Sequence, residues 1–291
     1  MLFLACVDGS YCQQILSAPE VLPEGQEIYD LDVSIDGQWV ALLTNDWGNG
    51  GNVYILNLAD TGVTEVYLSD SNLLNVDWSP NSEYIVYTRE GSSTEPYNSM
   101  EVLHIASQTV SRLVDGLAEL RSTEDCVSLF IRNPTWSPNG NQILYDVWQE
   151  CQLGIEDERY IADVTCDQQT HTCYIGQATP LEWASHRRRL FWASGGSQIV
   201  SVSVLGAEDL ITIERLGQNG ALYDALTVDG GSLGVSQQTI FSLSPSERYL
   251  AINNPYRRDF YLIDLDTEEL FDLSDTCLSN AQQFDWMPKR K

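Results

Sequence analysis

Apolar residues along this chain come in short runs rich in Val, Ile, Tyr and Leu, broken by Gly, Asn, Asp and Ser-Pro. Helical spacing is scarce, so the pattern predicts strands throughout. A unit recurs. It reads as a hydrophobic strand, then Trp-Ser-Pro-Asn-Gly or a variant, then a second strand ending in Tyr or Phe. The clear instances begin at Val33, Trp78 and Trp136, and weaker ones at Trp183 (Trp-Ala-Ser-His-Arg), Leu243 and Trp286, with offsets of 45, 58, 47, 60 and 43 residues. Pro presets φ at the second turn position and Asn or Gly tolerates the tight exit, so each motif predicts a turn.

Each turn leads into a strand: 39–44, 84–88, 142–147, 189–193 and 249–253. A third strand follows (53–58, 260–265), then a short turn such as Asp60-Thr61-Gly62 and a fourth strand (64–68, 269–273). A period of ~40–50 residues marks stacked or radial repeats, and four antiparallel strands repeated radially make a β-propeller. The fold expected is all-β: a six-bladed β-propeller in a single domain, 1–291, with blades at 28–68, 73–114, 127–177, 178–217 and 238–275. The sixth blade is shared between the termini, a hairpin at 1–16 joining a first strand at 277–291, and is expected to be incomplete. The units Trp-Ser-Pro-Asn-Gly-x-x-Ile and Val-Tyr-Ile-Leu-Asn-Leu make nearly the whole chain resemble the TolB-type, WD-like propeller of bacterial envelope proteins.

Composition narrows the partners. Against 42 Asp and Glu stand 15 Lys and Arg, a net charge of −27, with lysine only at 289 and 291. Binding to nucleic acid rests on Lys and Arg against phosphates, so nucleic acid is not an expected partner. No apolar run reaches the ~18 residues of a membrane span. Met1–Cys6 has no basic segment and too short an apolar run for a secretion signal, and predicts a strand. A monomer is expected.

Seven cysteines fall at telling places on the repeat. Cys6 and Cys12 flank one hairpin turn, and Cys166 and Cys173 flank the equivalent turn of the third blade. Cys126 precedes a first strand and Cys151 follows the second strand of that blade, which puts both loops on one face. Three disulfides are therefore expected, with Cys277 left over, and with them an oxidising compartment, periplasmic or extracellular. Zinc is not expected, because no Cys-x-x-Cys pair or Cys/His quartet occurs.

Candidate chemistry is thin. Gly230-Gly231-Ser232-Leu233-Gly234 matches the Gly-x-Ser-x-Gly elbow, yet no histidine follows it and no helix pattern succeeds it. His104, His171 and His186 have no local partner that would make a general base. Acidic runs Asp46–Asn52 and Glu156–Glu158 could hold Ca²⁺ but lack its regular loop spacing, so no cofactor is expected. His186-Arg187-Arg188-Arg189 is a basic cluster best read as a solvated turn. The loops after second strands carry Trp47, Trp148, Tyr256, Arg257 and Arg258, residue types that anchor interfaces, and form the candidate binding face.

The resemblance implies a non-catalytic scaffold that binds another protein or envelope component. Similar propellers also gate prolyl-oligopeptidase-like serine peptidases, a second expectation in which the catalytic domain lies outside this chain. A third is a carbohydrate-binding propeller, suggested by the loop tryptophans and acidic residues.

Overall fold

The computed structural model describes residues 2–5, 12–16, 22, 26–46, 50–91, 98–116, 126–151, 154–184, 189–205, 210–229, 239–254, 259–275 and 284–286. The chain divides into two compact units, Leu22–His186 with Met287–Lys291, and Met1–Val21 with Arg187–Trp286.

The first unit holds three four-stranded antiparallel sheets. Sheet 1 is β3 (Glu27–Val33), β4 (Trp39–Asp46), β5 (Gly50–Asn57) and β6 (Val63–Leu68). Sheet 2 is β7 (Leu73–Trp78), β8 (Tyr84–Arg89), β9 (Ser99–His104) and β10 (Thr109–Asp115), and sheet 3 is β11 (Cys126–Trp136), β12 (Gln142–Cys151), β13 (Gly154–Cys166) and β14 (Cys173–Pro180). The second unit holds the hairpin β1 (Leu2–Ala5) and β2 (Cys12–Leu16) with two more such sheets. Sheet 4 is β15 (Arg189–Trp192), β16 (Gln198–Leu205), β17 (Leu210–Gly217) and β18 (Leu222–Asp229), and sheet 5 is β19 (Ile240–Leu243), β20 (Tyr249–Asn254), β21 (Asp259–Asp264) and β22 (Glu269–Asp272).

The middle strands of sheet 2 are covered on both faces. Every residue of β8 and β9 is buried, whereas β22 is exposed throughout. Double coverage is why second strands such as Tyr84-Ile85-Val86-Tyr87 read as continuous apolar runs rather than alternating ones. Neighbouring sheets share cores: Val86, Met100 and Val102 of sheet 2 pack with Ile143, Ala162 and Val164 of sheet 3. In the other unit Val200, Val202 and Ile213 pack with Phe241, Leu250 and Ile263.

The repeated motif forms one turn five times. Its fifth residue lies in the left-handed region each time: Gly37 at φ 66°, Ser82 at 57°, Gly140 at 76°, Gly196 at 69° and Glu247 at 57°. The motif serine explains itself, because its hydroxyl accepts the N–H of the residue opening the second strand. Those N···O distances are 3.0 Å for Trp39 to Ser34, 3.0 Å for Tyr84 to Ser79, 2.9 Å for Gln142 to Ser137 and 2.9 Å for Tyr249 to Ser244.

Four expectations are corrected here. Five four-stranded sheets form among the described residues, not six. The hairpin β1–β2 is present, but Phe284–Trp286, where a closing first strand was expected, lie in no strand. Phe284 meets Phe260 edge-on at 5.0 Å and Trp286 stacks on Tyr249 at 6.3 Å, so the segment gains ring burial on sheet 5 instead of a ladder. The fourth turn is not Trp183–Arg187, where Glu182–Ala184 form a single 3₁₀ turn, but Ala193–Gly196, where Gly196 N–H donates to Ala193 O at 2.8 Å. Arg189–Trp192 is therefore a first strand. The tripeptide Trp-Ala-Ser occurs at both places, but only the second is followed by a glycine pair, of which Gly196 takes the positive φ without steric cost. Cys126 and Cys151 lie inside strands rather than in loops, and Asp157 and Glu158 lie on β13, because these strands run longer than their apolar cores.

Candidate functional site

The sheet 3 strands β11, β12 and β13, of 11, 10 and 13 residues, outrun their counterparts in sheets 1 and 2. Register places Phe130 opposite Trp148, and Arg132 opposite Asp146. Alternation buries Leu129, Ile131 and Val147 on one face and turns Phe130, Arg132 and Trp148 to the other. There the Arg132 guanidinium lies 5.6 Å from the Phe130 ring centre and 5.1 Å from that of Trp148, and the two rings tilt together at 5.2 Å. Phe130 is 39% exposed, a large apolar ring left to solvent. A cation held over aromatic faces at an exposed site contributes ~0.5–1 kcal/mol, enough to pre-set the three side chains as one surface.

Acidic groups rim this surface. Asp146 accepts from Asn133 Nδ2 at 2.7 Å and pairs with Arg159 at 3.1 Å, and Arg159 also pairs with Asp157. From sheet 1, Tyr29 is 38% exposed. Its hydroxyl is held above its usual pKa by burial first, then by the charges of Glu90 and Asp30, with Arg132 pulling the other way. Tyr29 of sheet 1 thus feels the charges of both Arg132 and Glu90.

Sheet order is fixed beneath by side chains gripping the next sheet's backbone. Asn45 brackets Leu73, donating to its carbonyl at 3.1 Å and accepting its N–H at 3.0 Å, and Asn98 brackets Ile131 likewise at 2.8 and 2.9 Å. Asp32 accepts the N–H of Trp78 at 2.5 Å and Asp77 that of Trp136 at 2.6 Å. Buried Glu101 pairs with Arg89 at 3.2 Å and Arg112 at 3.3 Å and accepts from the Tyr87 hydroxyl at 3.1 Å. Burial, then the Glu101 charge, pushes the Tyr87 pKa well up. Arg89 and Glu101 satisfy one another, so this cluster ties strands together rather than offering a site.

Of the candidate binding residues, Trp148 alone can be placed, and it lies on β12 rather than in a loop. Trp47, Tyr256, Arg257 and Arg258 lie outside the described residues, as do Cys6, Cys277, His186 and Gly230–Gly234. Cys166 and Cys173 form a disulfide. Cys126 and Cys151 are register partners, and Cys12 stands opposite Ala5, next to Cys6. Among the described residues no group of three or more His, Cys, Asp or Glu is arranged to hold a metal, and no helix is long and apolar enough to cross a membrane.

Two pairings escape local sequence reading. His104, whose Nδ1 lies 2.7 Å from the Ser107 hydroxyl, stacks on His171 at 3.8 Å with planes 4° apart, and Tyr84 tilts against it at 4.8 Å. Phe130 and Arg132 were unremarkable until register set them against Trp148. Sequence carries the alternation, but the length of β11 beyond its core is what aligns them.

No model of a known protein family matches the chain, and no curated protein matches it in sequence. Solved structures do match. TolB from Acinetobacter baumannii aligns over 93% of this chain and 58% of its own, at 14% identity and a TM-score of 0.60. The chain thus spans under two thirds of that protein's length. A structure of the nidogen/laminin complex aligns over 90% of this chain and 82% of its own, at 13% identity and a TM-score of 0.59. Prolyl oligopeptidase B from Galerina marginata aligns over 88% of this chain and 43% of its own, at 10% identity and a TM-score of 0.53. Likeness at such identity speaks for the fold alone: the chain has the β-propeller fold, built of four-stranded antiparallel blades, with TolB among its structural neighbours.

Proposed function

We propose that this chain is a non-catalytic propeller that docks another protein on the Phe130–Arg132–Trp148 surface, outside the cytoplasm. The observation that carries this reading is the exposed Phe130 ring held with Trp148 around the Arg132 guanidinium. Trp, Tyr and Arg dominate the energetics of protein interfaces, and rigid pre-organised anchors lose little entropy on binding. The acidic rim of Asp146 and Asp157 favours a partner with basic groups at its periphery, matching the net charge of −27. The Cys166–Cys173 disulfide supports an oxidising compartment.

The test is site-directed photo-cross-linking from position 130 in envelope extracts, with the captured protein identified and its affinity then measured. Replacing Trp148 and Arg132 by Ala should weaken that affinity by at least ~100-fold, about 3 kcal/mol for two anchors, with the strand signal in circular dichroism retained. Equal affinity in the double variant would remove this surface from the proposal.

The likeness to prolyl oligopeptidase B favours a second reading, in which the propeller gates a peptidase domain encoded beside it. Reading the coding sequence on both sides distinguishes the two. A Gly-x-Ser-x-Gly segment with a later histidine supports the gate, and its absence from both sides supports the scaffold.

A further inference from the structure

Sheets 4 and 5 leave a cleft between them. In sheet 2 the ladder runs Val86, Val102, Ser111, and in sheet 4 the same register positions are Val200, Arg215 and Asp224. The fifth turn residue opposite is Gly140 in sheet 3 and Glu247 in sheet 5. Between sheets 2 and 3, Cys173 N–H donates to Ser111 Oγ at 2.9 Å and links the two sheets. Between sheets 4 and 5 a cleft of about 180 Å³ stays open, floored by Val200, Ile213, Leu226 and Leu243.

Its polar wall is uneven. Glu247 has its side chain 10% exposed, accepts the Ser194 N–H at 2.6 Å and pairs with Arg215 at 2.5 Å. Arg215 is thereby neutralised. Asp224 and Asp266 also line the cleft; Asp266 shares Arg248 with Asp264 at 3.5 Å, while Asp224 is exposed and accepts the N–H of Ala225 at 2.9 Å. Glu247 holds this arrangement in a left-handed backbone conformation that strains a non-glycine residue, whereas three of the four equivalent positions carry glycine.

We propose that this cleft binds the side chain of a lysine in a peptide or protein partner. The apolar floor takes the methylenes, as apolar surface does for long cationic side chains, and the Asp224 carboxylate takes the ammonium. The volume is below the ~300–1,000 Å³ of sites for drug-sized ligands, which suits one side chain. Carboxylates outnumber arginines along the wall, on a chain of net charge −27, which disfavours an anion. The site lies in the unit that does not carry Phe130, and stands or falls apart from the docking surface proposed above.

The test is a ¹H–¹⁵N NMR titration with capped Ala-Ala-Lys-Ala-Ala, beside the same peptide carrying norleucine or glutamate in place of lysine. Saturable shifts at residues 224–226 and 247 are expected for the lysine peptide, and none for the others. Asp224→Asn should weaken binding about fivefold, the worth of one partly exposed ion pair, and Leu226→Trp, which fills the cleft, should abolish it with spectral dispersion intact. Equal binding of the norleucine peptide, stronger binding of the glutamate peptide, an unaltered affinity in Asp224→Asn or no shifts at all would each overturn the proposal.

Discussion

The junction of sheets 2 and 3 and that of sheets 4 and 5 are built on one register and solve it differently. At the first, Val102 and Gly140 occupy places that Arg215 and Glu247 take at the second. Tyr84 and His104 there correspond by ladder position to Gln198 and Gly217. The first junction fills its space with rings, a stacked histidine pair and a disulfide-bonded turn. The second leaves room and lines it with charge. A repeat fold therefore sets the backbone frame five times over, while each pair of neighbours decides separately whether its gap becomes core or cleft.

The sharpest way to break this contrast is to empty the two cores. Met100→Ala removes a side chain with no exposure and should cost about 3 kcal/mol, while Ile213→Ala, on the cleft floor, should cost about half as much because no sealed cavity remains. Urea midpoints at constant m would measure both, and equal losses would mean that the cleft is as tightly packed as the core. Next in size is the Cys166–Cys173 link. Replacing both cysteines by Ala frees a seven-residue separation, and on the chain-entropy account should cost about 2 kcal/mol, read from the same curves.

Transplanting one junction's chemistry into the other comes third. Arg215→Val alone leaves the Glu247 carboxylate without its counter-charge and should destabilise by about 1 kcal/mol. Adding Glu247→Gly should recover that loss, since glycine accepts the positive φ of 57° at no steric cost. A double variant less stable than the single one would show the carboxylate to be structural in its own right.

The smallest effect separates the junctions by pH. Burial first, then the charge of His171, holds His104 below its usual 6.5, against an upward pull from Glu83. The folded state then refuses a proton that the unfolded chain accepts, so the contribution of His104 is complete above pH 6.5 and falls as the pH drops below it. Glu247 is also depressed: burial would raise it, but hydrogen bonds from Ser194 and the charge of Arg215 together win. Its contribution holds above the usual 4.5 and is lost only as the pH falls further, through the folded value. Melting temperatures taken from pH 7 down to about pH 2.5 should thus drop in two stages, and His104→Gln should flatten the first.

How far the sequence could be read follows from how local each interaction is. The turns at Ser34, Ser79, Ser137 and Ser244 were legible, because serine, the residue two places on and the left-handed residue after it form one short hydrogen-bonded unit. The Cys166–Cys173 hairpin was legible for the same reason. The fourth turn was misread, since Trp-Ala-Ser occurs twice and only the glycines after the second copy discriminate. Trp148 drew notice as a residue type. Its neighbours Phe130 and Arg132 did not, because the pairing depends on bulges within β11 and on how far that strand runs past its core. The histidine stack joins residues 67 positions apart on different sheets, and nothing local signals it.

By itself the sequence determined strands, turns, the repeat and the charge of −27, since backbone propensity, turn chemistry and alternation all act within a few residues. The tertiary structure alone decided the count of five four-stranded sheets among the described residues, the aromatic surface around Arg132 and the cleft beside Arg215 and Glu247. Those depend on which side chains meet across a junction, and a junction joins residues that the sequence keeps dozens of positions apart.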